Sequence, residues 1–369
     1  VLKTEGSSEN KIEELDLLVA LGKKSELLVT QSNPNDRSTF EQLKHYLKQS
    51  KWAFGHLSYD LKNNLQEGLE SNNFDGLDFP DLQFFEPEVL VKISDGIAEV
   101  SSADGNLLAQ ITHLNELSSA PTVNNTFSAK PTLQTTLSKQ EYLNKIKEIK
   151  DRIQKGDVYE VNFCHEFFSK GVEVDPYELY QSLVNYSPTP FSSFVKMNDK
   201  FIVCASPERF LKKTRNTLLS QPIKGTIKRG ATVLEDEELK KRLKSSPKER
   251  SENVMIVDLV RNDLSQIAED GTVKVDELCG VYTFPQVHQM ISTVSCKLKN
   301  GVHPVDAIAD CFPMGSMTGA PKFKAMQIIE EIEETKRGAY SGSVGYFTPE
   351  GDFDFNVVIR SLLYNAESK

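Results

Sequence analysis

Phe201-Ile202-Val203-Cys204-Ala205-Ser206-Pro207-Glu208-Arg209-Phe210 begins as an apolar run of strand length and then turns, at Ser-Pro, into a carboxylate. The run reads as a β-strand. A strand-like run precedes it, Val158 to Phe167, and the next helix pattern waits until Ser246. Strand follows strand without the regular helix alternation of a doubly wound sheet. The fold class expected is therefore α+β, with large antiparallel β-sheets packed together and flanked by helices.

Outward from that stretch, Ser138-Lys139-Gln140-Glu141 is a capping-box pattern opening a helix with Leu143, Ile146, Ile149 and Ile153 on one face; Gly156 is placed to stop it. Ser246-Pro247-Lys248-Glu249 is a second box, with Pro at the first helical position, ahead of Val254, Ile256, Val257 and Val260. Pro321 starts a helix expected to end near Gly338, and strands are expected at Ser343 to Thr348 and Phe355 to Leu363. Nearer the N-terminus, Glu26 to Thr30 and Glu88 to Ile93 read as strands and Phe40 to Leu47 as a helix. The acidic, Gly/Asn/Asp-rich residues 65–88 read as an exposed loop, and the Ser/Thr/Asn/Pro-rich residues 118–136 as a connecting segment. The organisation expected is a mixed N-terminal region (1–125), a connector (126–137) and a site-bearing domain (138–369).

Hydrophobic residues at 38% and charged residues at 26% suit a folded globular chain and exclude a disordered one. A net charge of −10 argues against a nucleic-acid partner, whose footprint is basic. It leaves room for an anionic small substrate held by a few local cations. No apolar run approaches the ~18 residues of a membrane span. Five scattered cysteines without Cys-x-x-Cys spacing read as reduced core thiols, and the localisation expected is cytoplasmic. Val1 to Gly6 has no signal-peptide pattern and no initiator Met, so a native start upstream of Val1 is expected.

Candidate chemistry centres on Lys224, in Pro222-Ile223-Lys224-Gly225-Thr226, sixteen residues after Glu208. An amine can attack an electron-poor carbon, and a carboxylic acid can protonate the group that leaves. The stiff, weakly polar flanks favour a positioned amine over a solvated one. Glu249 and Glu252 lie three apart in the first turns of a helix, on one side. Capping explains Glu249 equally well; Glu252 suits a hard cation such as magnesium. The small-residue loop Gly315 to Lys322 leads into a helix and fits either an anion or a plain tight turn. Arg360, in an otherwise apolar run, needs a structural partner or a substrate carboxylate, and His288 reads as a core histidine or a catalyst.

Gly156-Asp157-Val158-Tyr159-Glu160-Val161-Asn162, Ser206 to Phe210, Pro222 to Thr226, Glu252 to Asp263, Phe284 to His288, Gly315 to Lys322 and Gly342 to Tyr346 stand in one unbroken order between residues 138 and 364. Together they resemble the chorismate-utilising enzymes. Gly55 to Leu61 matches more loosely a Gly-Tyr-Asp element of that family. Lys224 matches one well-known group of the family members that aminate chorismate at C4; those that form anthranilate usually carry Ala there. Two other readings stay open: anthranilate formation, and chorismate binding without turnover.

The resemblance implies Lys224 as nucleophile at ring C2 and Glu208 as the acid on the C4 hydroxyl. It implies Gly225, Thr226, His288, Ser316, Tyr340 and Arg360 around chorismate, and Mg2+ held by Glu252, with Glu249 beside it. It implies 4-amino-4-deoxychorismate as product, on the way to p-aminobenzoate and folate. Ammonia is expected from a glutamine amidotransferase subunit, since no Gly-x-Cys-x-Gly glutaminase motif is present in the chain. Two constraints follow. A free lysine with pKa about 10.4 is neutral roughly once in 10³ molecules at pH 7, so Lys224 is expected to be activated by desolvation or a neighbouring cation. Glu208 is expected to hold its proton in an apolar setting or beside an anion. Glu160 departs from the family's usual Gln, and the family's second magnesium glutamate is expected on a helix past Lys369.

Overall fold

Lys200–Ser206 is a strand, and it is buried along almost its whole length because it lies between two layers. The computed structural model describes residues 2–3, 16–48, 52–102 and 131–369. Residues 4–15 and 103–130, which carry part of the expected N-terminal and connector readings, lie outside the described residues. A seven-stranded sheet runs from Ser361–Asn365 through Lys200–Ser206, Phe191–Met197, Leu2–Lys3, Leu17–Leu21 and Val89–Ser94 to Ile97–Ser102, every pair antiparallel.

The ten-stranded sheet is also antiparallel throughout. Its path is Ile223–Lys228, Val287–Lys297, Thr217–Gln221, Arg209–Thr214, Phe353–Asn356, Ser343–Phe347, Ala53–Leu57, Leu82–Glu86 and Ser25–Val29, with Lys274–Thr283 joined to Val287–Lys297. Both sheets therefore take strands from before residue 103 and after residue 190. The α+β expectation holds.

The sheets meet across Phe79, Ile202, Cys204, Val344 and Val358. On the outer face of the larger sheet, Phe347 packs on Phe84, Phe353 and Phe355 at ring separations of 5.7, 5.7 and 5.2 Å. Helices Ser38–Leu47, Pro247–Ile267 and Pro304–Cys311 close that core with Phe40, Leu264 and Ile308. Each such side chain contributes roughly 1.5–3 kcal/mol when fully buried.

Two corners carry the chain from one sheet to the other, side by side. One is Pro207-Glu208, between Lys200–Ser206 and Arg209–Thr214. The other is Val357 to Arg360, between Phe353–Asn356 and Ser361–Asn365. The Val357 N–H donates to the Glu208 carbonyl at 3.0 Å, and the Ala205 N–H to the Arg360 carbonyl at 3.2 Å. Phe355 to Leu363 is thus two strands in different sheets, because Arg360 takes a left-handed φ of 50° at the step.

Other expectations need correction. Within the expected loop 65–88, Leu82–Glu86 is an inner strand with Leu82 and Phe84 fully buried. Acidic turn residues surround it, and Leu82-Gln83-Phe84-Phe85-Glu86 shows no two-residue alternation because the strand is covered on both faces. Val158 to Phe167 keeps only the short strands Glu160–Val161 and Phe167–Phe168. The Pro321 helix spans Lys322–Ile332 and stops short of Gly338, where Glu333 turns to extended backbone. Helices Pro176–Tyr186 and Val233–Ser245, capped by Asp175 and Thr232, have no counterpart in the sequence reading. The Ser138 capping box is complete and Gly156 ends that helix at φ 86°. At Ser246 only half forms: Oγ accepts the Glu249 N–H at 3.4 Å, while the Glu249 carboxylate faces Lys248. No helix among the described residues is long and apolar enough to cross a membrane.

Candidate active site

Glu208 sits at the first sheet-crossing corner, 4% exposed. Burial pushes its carboxyl up to about 7, overcoming Ser316, Lys224, the Ile223 backbone and Arg360, each of which favours the charged form. Ser316 acts on it at close range, although its buried Oγ completes no hydrogen bond of ordinary geometry. A carboxyl in this state keeps a large share of its proton at neutral pH. The apolar setting expected for Glu208 is present.

Lys224 lies on Ile223–Lys228, where the register with Val287–Lys297 slips between Ile223 and Thr226. Gly225 makes the slip possible. Its φ is 93°, and a Cβ there would stand 3.1 Å from the Glu249 Cβ and 3.3 Å from the Met290 Cβ. Asn253, on the helix behind, donates to the Lys224 and Met290 carbonyls, each at 3.3 Å, and so pins the slipped segment. The Lys224 Nζ makes a short ion pair with Glu160 Oε1. The contacting charge is therefore an anion, in place of the neighbouring cation that was one of the two expectations; the Lys224 side chain is 18% exposed.

Glu160 is brought there by backbone. Glu160–Val161 pairs with Gly319–Ala320, just past the Gly315–Met317 turn that carries Ser316. The buried pair Arg337–Glu333 clamps both segments: its guanidinium donates to the Asn162 and Met317 carbonyls, each at 2.7 Å, while Glu333 accepts the Cys164 N–H at 2.8 Å. Asn162 Nδ2 donates to the Ser316 carbonyl at 2.8 Å. None of these connections follows from spacing in the sequence.

Thr226 is near the slip and is contacted by Gln289, whose buried Oε1 has no partner among the described residues. Gln289 is a polar group that the sequence reading missed; its sole signal was its place beside His288. Arg360 is exposed, interacts electrostatically with Glu208, and has no ion-pair partner in the described structure. Desolvation lowers its pKa from the ordinary guanidinium range, against the opposing effect of Glu208.

His288 has both ring nitrogens engaged by neighbouring side chains. Thr283 Oγ1 holds its Nδ1 and Asp236 Oδ1 its Nε2, each at 3.0 Å, in a ring that is 1% exposed. Asp236 is in turn gripped by the Arg229 fork and the Gly230 N–H, which hold its carboxyl well below the usual range. Tyr340 stands with Cys164, Arg337 and Glu333, and burial pushes its phenol up to about 12. Lys322, at the end of the small-residue loop, is committed to Asp263 and the Cys311 carbonyl.

Glu249 and Glu252 project from the first turns of Pro247–Ile267, part-exposed, with the Lys248 ammonium 3.4 and 3.3 Å from them. Two hard carboxylates already sharing a cation, with Glu249 against Gly225, fit a magnesium ion that takes its other ligands from substrate and water. The described residues hold no cluster of three or more His, Cys, Asp or Glu that could form a cage by itself.

Comparison with known proteins agrees with this architecture. The model of the chorismate binding enzyme family matches residues 8–368. The chain is 42% identical over 233 residues to the chloroplastic aminodeoxychorismate synthase of Arabidopsis thaliana, covering 62% of this chain and 25% of that protein. It is 34% identical over 331 residues to aminodeoxychorismate synthase component 1 of Bacillus subtilis, covering 84% of this chain and 68% of that one. It spans about half or less of the length of the first curated relatives it matches. Anthranilate synthase component I from Streptococcus pneumoniae has the same fold, with a TM-score of 0.82 at 24% identity over 97% of this chain and 87% of that one. The chain belongs to the chorismate binding enzyme family.

Proposed function

We propose that this protein aminates chorismate at C4 with ammonia to give 4-amino-4-deoxychorismate, with ammonia delivered by a glutamine amidotransferase subunit. The observation that carries the reading is a buried carboxyl held near neutrality, Glu208, acting electrostatically on a positioned amine, Lys224. The sequence relatives named aminodeoxychorismate synthase support the same choice.

Lys224 Nζ adds to ring C2, the diene electrons shift toward C4, and the C4 hydroxyl leaves as water with a proton from Glu208. Ammonia then adds at C4, the electrons shift back, and the lysine is expelled from C2. Proton donation of this kind supplies roughly 10²–10⁴-fold. Arg360 and Ser316, next to Glu208, and Thr226 with the Gly225 backbone, next to Lys224, are positioned to hold the substrate's carboxylates. His288 and Tyr340 act by holding strand and loop in place. Glu252 and Glu249 would hold magnesium, which when bound supplies Lewis-acid withdrawal of electrons from the ring carboxylate.

Intact-mass spectrometry after incubation with chorismate and magnesium tests the proposal. The expected result is a Lys224 adduct of chorismate minus water, absent in Lys224→Ala. Anthranilate as the product, or an unmodified Lys224 in a variant series of unchanged rate, would overturn it.

A further inference from the structure

We propose that Glu160 is the base for Lys224: it takes the proton from the Lys224 ammonium before attack and returns it when the lysine is expelled. The proposal rests on the reading of Lys224 as nucleophile given above. It starts from a contact that the family pattern does not supply, since the usual Gln can only share a hydrogen bond with an amine, whereas a carboxylate can also keep the proton.

The contact is built into the fold. Lys224 and Glu160 are joined through Oε1, with 18% and 19% of their side chains exposed. Oε2, the other oxygen, is buried and has no hydrogen-bond partner among the described residues. The carboxylate is therefore under-satisfied, a poor arrangement for a purely structural ion pair. Neutralising the group would lower the desolvation cost of that buried oxygen.

The backbone of Glu160 has little freedom to adjust. The Tyr159 N–H donates to the Ala320 carbonyl at 2.7 Å and the Asn162 N–H to the Thr318 carbonyl at 2.8 Å. Gly319 passes so close that a Cβ there would stand 2.1 Å from the Glu160 carbonyl oxygen. Lys224 is fixed from the other side by Asn253.

Other charged groups around the pair are already committed. Glu208 acts on Lys224 from the sheet-crossing corner and is itself acted on by Arg360. Glu249, from the helix behind, lies against Gly225 and shares Lys248 with Glu252. On the loop and helix packed over Glu160, Lys322 is paired with Asp263 and Arg337 with Glu333. Lys224 is the cation that the structure gives Glu160.

The protons balance. In the first half, Nζ–H breaks and Oε–H forms; the neutral amine's electron pair then makes the C2–N bond. In the second half the C2–N bond breaks with its electron pair returning to nitrogen, and Oε–H protonates it. Glu160 ends as it began, and Glu208 handles the separate proton at C4.

The test is single-turnover adduct formation by intact mass in wild type, Glu160→Gln, Glu160→Asp and Lys224→Ala, from pH 6 to 9. Glu160→Gln keeps the shape and a hydrogen bond but cannot take a proton. Its rate at pH 7 is expected about 10²-fold below wild type, with the Gln-to-wild-type ratio rising about tenfold per pH unit as solvent takes over deprotonation. Glu160→Asp is expected to keep the wild-type pH dependence at a reduced rate. Equal rates for Glu160→Gln and wild type at pH 7 overturn the proposal, and so does a slow variant whose ratio ignores pH. If Glu160→Gln fails to fold, a Glu160→Asp profile that shifts to high pH overturns it. Wild type forming no adduct sinks instead the nucleophile reading beneath it.

Discussion

The Glu208 corner and the first turns of the Pro247 helix both bring carboxylates to the strand of Lys224, and they treat them in opposite ways. Glu208 is 4% exposed and lies where two sheets exchange strands, so burial overrides the nearby cations and pushes its carboxyl up to about 7. Glu249 and Glu252 stand on a helix surface, their side chains 25% and 35% exposed, with Lys248 between them. One environment favours the acid form, and the other sets two part-exposed carboxylates around one ammonium. Under the proposed function, the same functional group would serve proton donation at the corner and cation binding on the helix, according to the layer it occupies.

Removing the proton breaks the comparison most severely. Glu208→Gln is expected to slow single-turnover adduct formation by roughly 10²–10⁴-fold, the range of general acid catalysis. In wild type the same rate is expected to fall about tenfold per pH unit above pH 7, as Glu208 ionises. A rapid-quench series across pH, with the variant alongside, reads both.

The same group leaves a mark on stability. Its folded pKa of about 7 stands above the ordinary 4.5. The folded state therefore binds more protons than the unfolded one between those values, and stability drains away as pH rises through that window. At about 1.4 kcal/mol per unit the loss is on the order of 3 kcal/mol by pH 8. Glu208→Gln has no such titration. Its urea midpoint is expected to gain on wild type from pH 4.5 to about 7 and then level off, and a constant offset would contradict the buried-acid assignment.

Glu252→Gln sharpens the other side. It is expected to raise the magnesium concentration for half-maximal activity by ten- to a hundredfold, a range typical of ligand-set damage. Its Tm should stay near wild type, since exposed ion pairs such as Lys248–Glu252 contribute about 0–1 kcal/mol. A magnesium titration of rate, with melting curves, separates these.

What could be read beforehand divides along the same line. Local signals were legible: the Ser138 box, the Gly156 stop and the Ser246-Pro247 start depend on residues three or four apart and formed where expected. The strand at Leu82–Glu86 was missed because it is short, lies among acidic turn residues and, buried on both faces, carries no two-residue alternation. The break at Arg360 was missed because a left-handed step between two sheets leaves no trace in an apolar run. At the site, Glu208 and Lys224 were visible as chemistry. Their neighbours Glu160, Gln289 and Arg337 arrive through pairings across more than 60 residues, and sequence spacing carries no record of those.

The smallest effect tests whether the helix turn is an independent part. Ser246 Oγ accepts the Glu249 N–H at 3.4 Å, and no return bond completes the box. Ser246→Ala should then cost about 1 kcal/mol, the ordinary value of an N-cap. Because the cap holds the turn that presents Glu249 and Glu252, it should also weaken magnesium activation a few-fold. Glu208 stands on a different element, at the corner between sheets, so the pH at which adduct formation declines should not move. A shift of that pH in Ser246→Ala would mean that the helix turn and the buried acid are coupled, and the contrast between them would fail.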